Sequence, residues 1–189
     1  IVTDRMSNAP SFKFADKSII SDAGDVTKII SELIDNYRDC NLSAVYTGND
    51  FGIVSASIIS KVFNIPACPV ISAISSIDKS LMKTKWNGDG IQTPLGNLVS
   101  PKDDISKLRE QITVPCIIKP TSSSGSQGVS IVKSKSEFEA SFNEAAKYSS
   151  GNHLLIEELI EGKHIDANGI FWKNRFYPCG TSRRYFSDP

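Results

Sequence analysis

Pro115-Cys116-Ile117-Ile118-Lys119-Pro120-Thr121-Ser122-Ser123-Ser124-Gly125-Ser126-Gln127-Gly128-Val129-Ser130-Ile131-Val132-Lys133 is the stretch on which the reading of the fold turns. A short apolar strand reaches Lys119, opens into a loop of very small residues, and returns as a second apolar strand. Glycine and serine let a backbone approach a ligand closely and adopt conformations that a Cβ atom forbids. Successive exposed N–H groups in such a loop form a nest for anions, and Lys119 adds a compact positive charge. The pattern predicts a flexible lid over a polyphosphate, with Thr121 to Gln127 as its mobile part. A plain β-hairpin with a solvated loop is the alternative. Neither common phosphate fingerprint, G-x-x-x-x-G-K-[ST] or G-x-G-x-x-G between strand and helix, is present.

Upstream, Val26, Ile29, Ile30, Leu33, Ile34 and Tyr37 recur at one-face spacing and predict a helix from Asp25 to Asp39, with Asp22 or Asp25 as N-cap. Ser43 to Thr47 reads as a buried strand closed by Gly48-Asn49-Asp50. A second helix follows, with Val54, Ile58, Ile59, Val62 and Phe63 inward. This alternation predicts a parallel α/β layer, whose strand-end loops favour ligands. The loop from Thr47 to Asp50 is one of these, or a plain turn with an Asx cap. A short helix starts at Ile77 with Asp78 as cap, Trp86 to Pro94 reads as loop, and Lys102 to Gln111 as a further short helix.

Downstream, Ser136-Glu137-Phe138-Glu139 has the form of a capping box. It opens a helix with Phe138, Phe142, Ala145 and Ala146 on one face. His153 to Ile160 reads as a strand ending in Glu157-Glu158, and Ile165 to Trp172 alternates into a hairpin through Lys173-Asn174. The expected fold class is therefore α/β plus α+β, with the parallel part first and antiparallel strands after it.

The composition is that of a globular chain: 40% of its 189 residues are hydrophobic and its 21 basic residues are balanced by 21 acidic ones. Zero net charge offers no case for nucleic acid or a membrane surface, and no apolar run approaches the ~20 residues of a membrane span. Cys40, Cys68, Cys116 and Cys179 are scattered without C-x-x-C and fit a reduced, cytoplasmic protein. His153 and His164 do not add metal-ligand spacing to them. The chain begins at Ile1 in a strand and stops at Pro189 without a terminating element, so both ends are expected to be cut from a longer protein.

Lys79, Lys119 with its Ser/Gly loop, and Leu154-Leu155-Ile156-Glu157-Glu158-Leu159-Ile160-Glu161-Gly162 occur in an order and at spacings that resemble the ATP-grasp superfamily. The pattern is most similar to carboxylate–amine ligases and to the biotin-carboxylase and carbamoyl-phosphate-synthetase branch. The resemblance covers nearly the whole chain. It implies a Rossmann-like pre-ATP-grasp domain over 1–75, lacking its first strand and glycine turn, and a helical linker over 76–114. An ATP-grasp small lobe would follow over 115–162, then the start of the large lobe over 163–189.

By the same resemblance, Lys79 and Lys119 contact ATP. Ser123, Ser124, Gly125, Ser126 and Gly128 form the phosphate-covering loop, with Gly125 and Ser126 at the β- and γ-phosphates. Glu157 stands near the adenine amino group, and Glu158, Leu159 and Ile160 form the hinge along the base. His164 occupies the place of a ribose contact, or is an ordinary hairpin histidine. Arg183 and Arg184 are candidates to face phosphate or carboxylate, or are solvated charges. The implied cofactors are ATP and Mg²⁺, the latter with ligands expected beyond residue 189. The implied partners are small-molecule carboxylate and amine substrates, without nucleic acid or membrane, and self-association as a homodimer is left open. The function so implied is that of an ATP-dependent ligase acting through an acyl phosphate, with this fragment alone inactive. Two other readings stand beside it: a nucleotide-binding module or sensor without turnover, and a dinucleotide-binding oxidoreductase.

Overall fold

The computed structural model describes residues 1–149, 153–173 and 175–185. They fall into two compact units, Ile1–Glu158 and Leu159–Pro189. Among the described residues no helix is long and apolar enough to cross a membrane.

The first unit opens with β1 (Val2–Asp4) and β2 (Ser18–Ile20), which pair in parallel with Thr3 opposite Ile19. Helix α1 (Val26–Asn36) follows, with the Asp25 carboxylate accepting from the Lys28 N–H as N-cap. Its Ile29 and Leu33 meet Ile19 and Ile59 in a small apolar core. Ser43 to Thr47, predicted as a buried strand, forms none. A strand is defined by hydrogen bonds to a neighbour, β1 gives its ladder to β2, and no described residue pairs with 43–47. The expected inward face of α2 (Ile53–Val62) is also corrected. It buries Ser55, Ser57, Ile59 and Ser60, whereas Val62 is 53% exposed. The Ser57 hydroxyl donates to the Cys68 carbonyl at 2.6 Å, so small polar side chains allow close backbone approach there.

Two helices then meet at one residue: α3 (Val70–Ile77) ends where α4 (Lys79–Gly88) begins, with Asp78 between them. The Asp78 carboxylate accepts from the N–H groups of Ser80 and Leu81, as an N-cap should. Trp86 to Gly88, read as loop, complete α4. Within the stretch read as helical linker the chain forms β3 (Gly96–Val99), then α5 (Ile105–Gln111), capped by Asp104.

Strands β4 (Cys116–Pro120) and β5 (Ser130–Val132) form the hairpin, and β6 (Leu154–Glu158) follows α6 (Phe138–Lys147). The four strands make one antiparallel sheet in the order β3-β6-β4-β5. Its register puts Val99, Cys116, Ile118, Val132, Leu154 and Ile156 on one face, sealed by Phe138, Phe142 and Ala145 of α6. The capping box is not formed: Glu137 instead accepts the Lys133 N–H at 2.9 Å, and Ser136 shares a hydroxyl hydrogen bond with Ser134. The second unit is a hairpin of β7 (Ile165–Trp172) and β8 (Arg175–Arg183). Asn174, in its predicted turn, lies outside the described residues.

Candidate functional site

Strand pleating puts alternate residues on opposite faces. The sheet face turned away from α6 therefore carries Gly96, Leu98, Ile117, Lys119, Ile131, Leu155 and Glu157. Gly96 lies directly opposite Glu157, and a Cβ there would run into the Ile156 carbonyl oxygen and the Glu157 backbone. Only glycine lets β3 pass this close to the carboxylate.

Glu157 is 4% exposed, which for a carboxylate requires partners. It has two. Lys83 of α4 reaches its Oε1 at 2.7 Å, and Lys119 of β4 is paired with its Oε2. Lys83 Nζ also donates to the Pro94 carbonyl oxygen. The carboxylate thus fixes two ammonium groups from two different elements on one surface. Lys83 escaped the sequence reading. A lysine four residues after Lys79 shares its helix face, and that spacing was the available signal.

Lys79 extends the cluster. Its backbone N–H donates to the Thr121 carbonyl at 2.9 Å, and its Nζ donates to the Ser123 carbonyl at 2.5 Å. Helix α4 is thereby tied to the start of the Ser/Gly loop. Burial first, and then the charge of Lys119, hold the Lys79 ammonium below the usual lysine range, against the opposing pull of Asp78 and Asp50. Lys79, Lys83 and Lys119 thus come together around buried Glu157, which pairs with two of them.

The loop itself is shaped by Gly125 and Ser126, both at positive φ (64° and 60°), and by Gly128 at 71°. A non-glycine residue in this region is uncommon and marks a constrained segment. The Gln127 N–H donates to the Ser124 carbonyl and the Ser123 hydroxyl to the Gln127 carbonyl. The N–H groups of Ser122, Ser123, Ser124, Gly125 and Ser126 donate to no described acceptor, which leaves a row of free donors beside the lysines.

Glu158 is exposed, with its N–H on the Leu95 carbonyl at 2.8 Å and its Oε1 accepting from the Leu95 N–H at 2.6 Å. Leu159, Ile160, His164, Arg183 and Arg184 belong to the hairpin unit. There Arg184 pairs with Asp166 at 2.6 Å, and the Arg183 guanidinium stacks 4.8 Å from the Tyr185 ring centre. Among the described residues no three His, Cys, Asp or Glu side chains converge as a metal site.

Residues 95–174 match the family model of the D-ala D-ala ligase C-terminus. The D-alanine–D-alanine ligase B of Chromobacterium violaceum is 32% identical over 95 residues, covering 50% of this chain and 31% of that one. The L-amino acid ligase structure from Bacillus licheniformis superposes with a TM-score of 0.72 at 13% identity, over 92% of this chain and 41% of that chain. The D-alanine–D-alanine ligase of Bacillus anthracis complexed with ATP gives 0.56 at 18% identity, over 84% of this chain and 58% of that chain. The chain has the fold of the ATP-grasp ligases. It spans about a third of the length of the curated relatives it matches.

Proposed function

We propose that this chain is the ATP-binding part of a cytoplasmic ATP-dependent carboxylate–amine ligase. The observation that carries the reading is the pairing of three lysines, two of them set by buried Glu157, with a run of free loop N–H groups. Triphosphate needs cations and N–H donors, and each charge-assisted hydrogen bond is worth roughly 1.5–3 kcal/mol. The exposed apolar side chains Leu98 and Ile131, with Ile117 between them, give a flat base a surface on the same face of the sheet.

In the reaction a carboxylate oxygen of the acid attacks the γ-phosphorus. The bond from that phosphorus to the β,γ-bridging oxygen breaks, and ADP leaves with the electron pair. An amine nitrogen then attacks the carbonyl carbon of the acyl phosphate. The bond from that carbon to the phosphate oxygen breaks, phosphate leaves with the electron pair, and the nitrogen gives up a proton as the amide forms. Lys79, Lys119 and the loop hold and neutralise the oxygens on which charge builds. Closed over the phosphates, the loop also keeps water from the acyl phosphate. The relatives named as joining alanine or amino acids support small carboxylate and amine substrates.

Calorimetric titration of ATP into the protein tests the reading. Saturable binding is expected, weakened ~10-fold or more by Lys119→Ala, which removes one charge-assisted contact. Unchanged affinity in that variant removes Lys119 from the site, and absence of binding in the folded parent protein overturns the proposal.

A further inference from the structure

Beside Lys79 the first unit has a half-open cavity of about 570 Å³, and of its apolar lining only Val26 packs against a hydrophobic core. Val54 and Ile58 of α2, Ile74 of α3 and Met82 of α4 turn toward it, and none of the four belongs to either core cluster. Each remains partly exposed. Apolar side chains that converge on a space instead of a packed neighbour leave their surface in water, at a cost that an apolar ligand would remove.

The rim of the same cavity is polar and carries both signs of charge. Asp50, Asp78 and Lys79 lie on it, together with Ser122, Ser123 and Ser124 of the loop. The two carboxylates are not equivalent. Asp78 is taken up by the cap of α4, accepting from the N–H groups of Ser80 and Leu81 and from the Ser80 hydroxyl. Asp50 is exposed and its carboxylate makes no hydrogen bond or ion pair with a described residue, although it is near enough to act on the Lys79 charge. An available carboxylate and an ammonium thus share one rim above an apolar floor.

We propose that this cavity binds an amino acid with a bulky apolar side chain, of leucine size or larger. The side chain fills the space between Val54, Ile58, Ile74 and Met82, the α-ammonium pairs with Asp50, and the α-carboxylate faces Lys79 and the Ser/Gly loop. The inference deepens the ligase reading and rests on it in one respect: an acid seated this way presents its carboxylate beside the loop assigned to the phosphates. A methyl side chain leaves most of the cavity unfilled. At about 0.8 kcal/mol per buried CH₂, three missing carbons correspond to a loss of affinity on the order of 10- to 100-fold.

The test is calorimetric titration of the protein with L-leucine, D-leucine, alanine of each hand, and 4-methylpentanoate, which is leucine without its ammonium. ATP is titrated separately into the same preparation. One enantiomer of leucine is expected to bind at least 10-fold more tightly than either alanine. Asp50→Asn should weaken leucine at least 10-fold and leave 4-methylpentanoate unchanged. Ile58→Trp, or the milder Val54→Phe, should remove leucine binding while ATP binding persists, with circular dichroism confirming that each variant is folded. Leucine binding no tighter than alanine overturns the proposal, as does an Asp50→Asn effect equal on leucine and 4-methylpentanoate. ATP binding without leucine binding sinks the cavity assignment and spares the nucleotide site. Leucine binding with these variant effects but without ATP binding does the reverse, and binding of neither sinks both.

Discussion

Glu157 gives one carboxylate oxygen to a helix lysine and the other to a strand lysine, and this makes the three residues mutually dependent. Removing the shared carboxylate leaves two ammonium groups facing each other across a nearly dry surface. Removing either lysine leaves the carboxylate with one partner. Glu157→Gln should therefore destabilise the first unit by about 2–3 kcal/mol, and Lys83→Ala or Lys119→Ala each by less. Urea unfolding of the three single variants and the Lys83/Glu157 double variant checks this. Equal losses in all three singles, or strict additivity in the double, would show that the carboxylate does not join the two lysines energetically. Of these residues, Lys119 and Glu157 stand out in the sequence because each sits at the end of an apolar run. Lys83 does not, because a lysine on an amphipathic helix reads as a solvated charge until the buried carboxylate opposite it is known.

At the scale of elements, α4 carries both Lys79 and Lys83, so its first turn sets their positions. Asp78 caps that turn. Burial acts to raise its carboxyl, but the hydrogen bonds from the Ser80 hydroxyl and from the Leu81 and Ser80 N–H groups outweigh it and hold the group below the ordinary carboxylate range. A depressed carboxyl contributes stability above its unfolded pKa of about 4, and that contribution is lost as pH falls through the folded value. Asp78→Ala should cost about 1 kcal/mol at neutral pH. The gap in Tm between variant and parent should close as the pH falls through the folded-state value, and a gap that persists there would show that the cap does not act through its charge. The cap was legible in the sequence, as were α1, α6 and both hairpins, because their apolar residues repeat with the period of the element. Strand β3 was not: three of the four residues Gly96 to Val99 are exposed, so no alternation announces it. The inner face of α2 was misread because its buried positions are mostly serines. Hydrophobicity marks what is packed by apolar burial and misses what is packed by closeness.

For the molecule as a whole, the first unit holds two separate apolar cores, one under the four-stranded sheet and one around α1 and α2. The sheet core is the more completely sealed, with Ile118, Val132, Phe138, Ala145 and Leu154 all at 0% exposure. The antiparallel lobe was the more legible half for the same reason. Its strands find their partners within the same 60-odd residues, whereas a parallel layer depends on neighbours that local sequence does not reveal.

Cys116 turns that sealed core into a clock. Its thiol is 2% exposed, and burial pushes its pKa up, so it presents neither access nor thiolate to a reagent, while Cys68 and Cys179 are exposed. A thiol-specific dye should label the exposed pair at once and Cys116 only as often as the sheet parts from α6. Mass-resolved labelling over time should give a slow phase confined to the Cys116 peptide, and that phase should quicken in Glu157→Gln if the carboxylate holds the sheet closed. Immediate modification of Cys116 would mean that the lobe breathes without unfolding. The rate of one chemical reaction at one sulfur would then report how long the four-stranded sheet stays shut on α6, with no ligand in the tube.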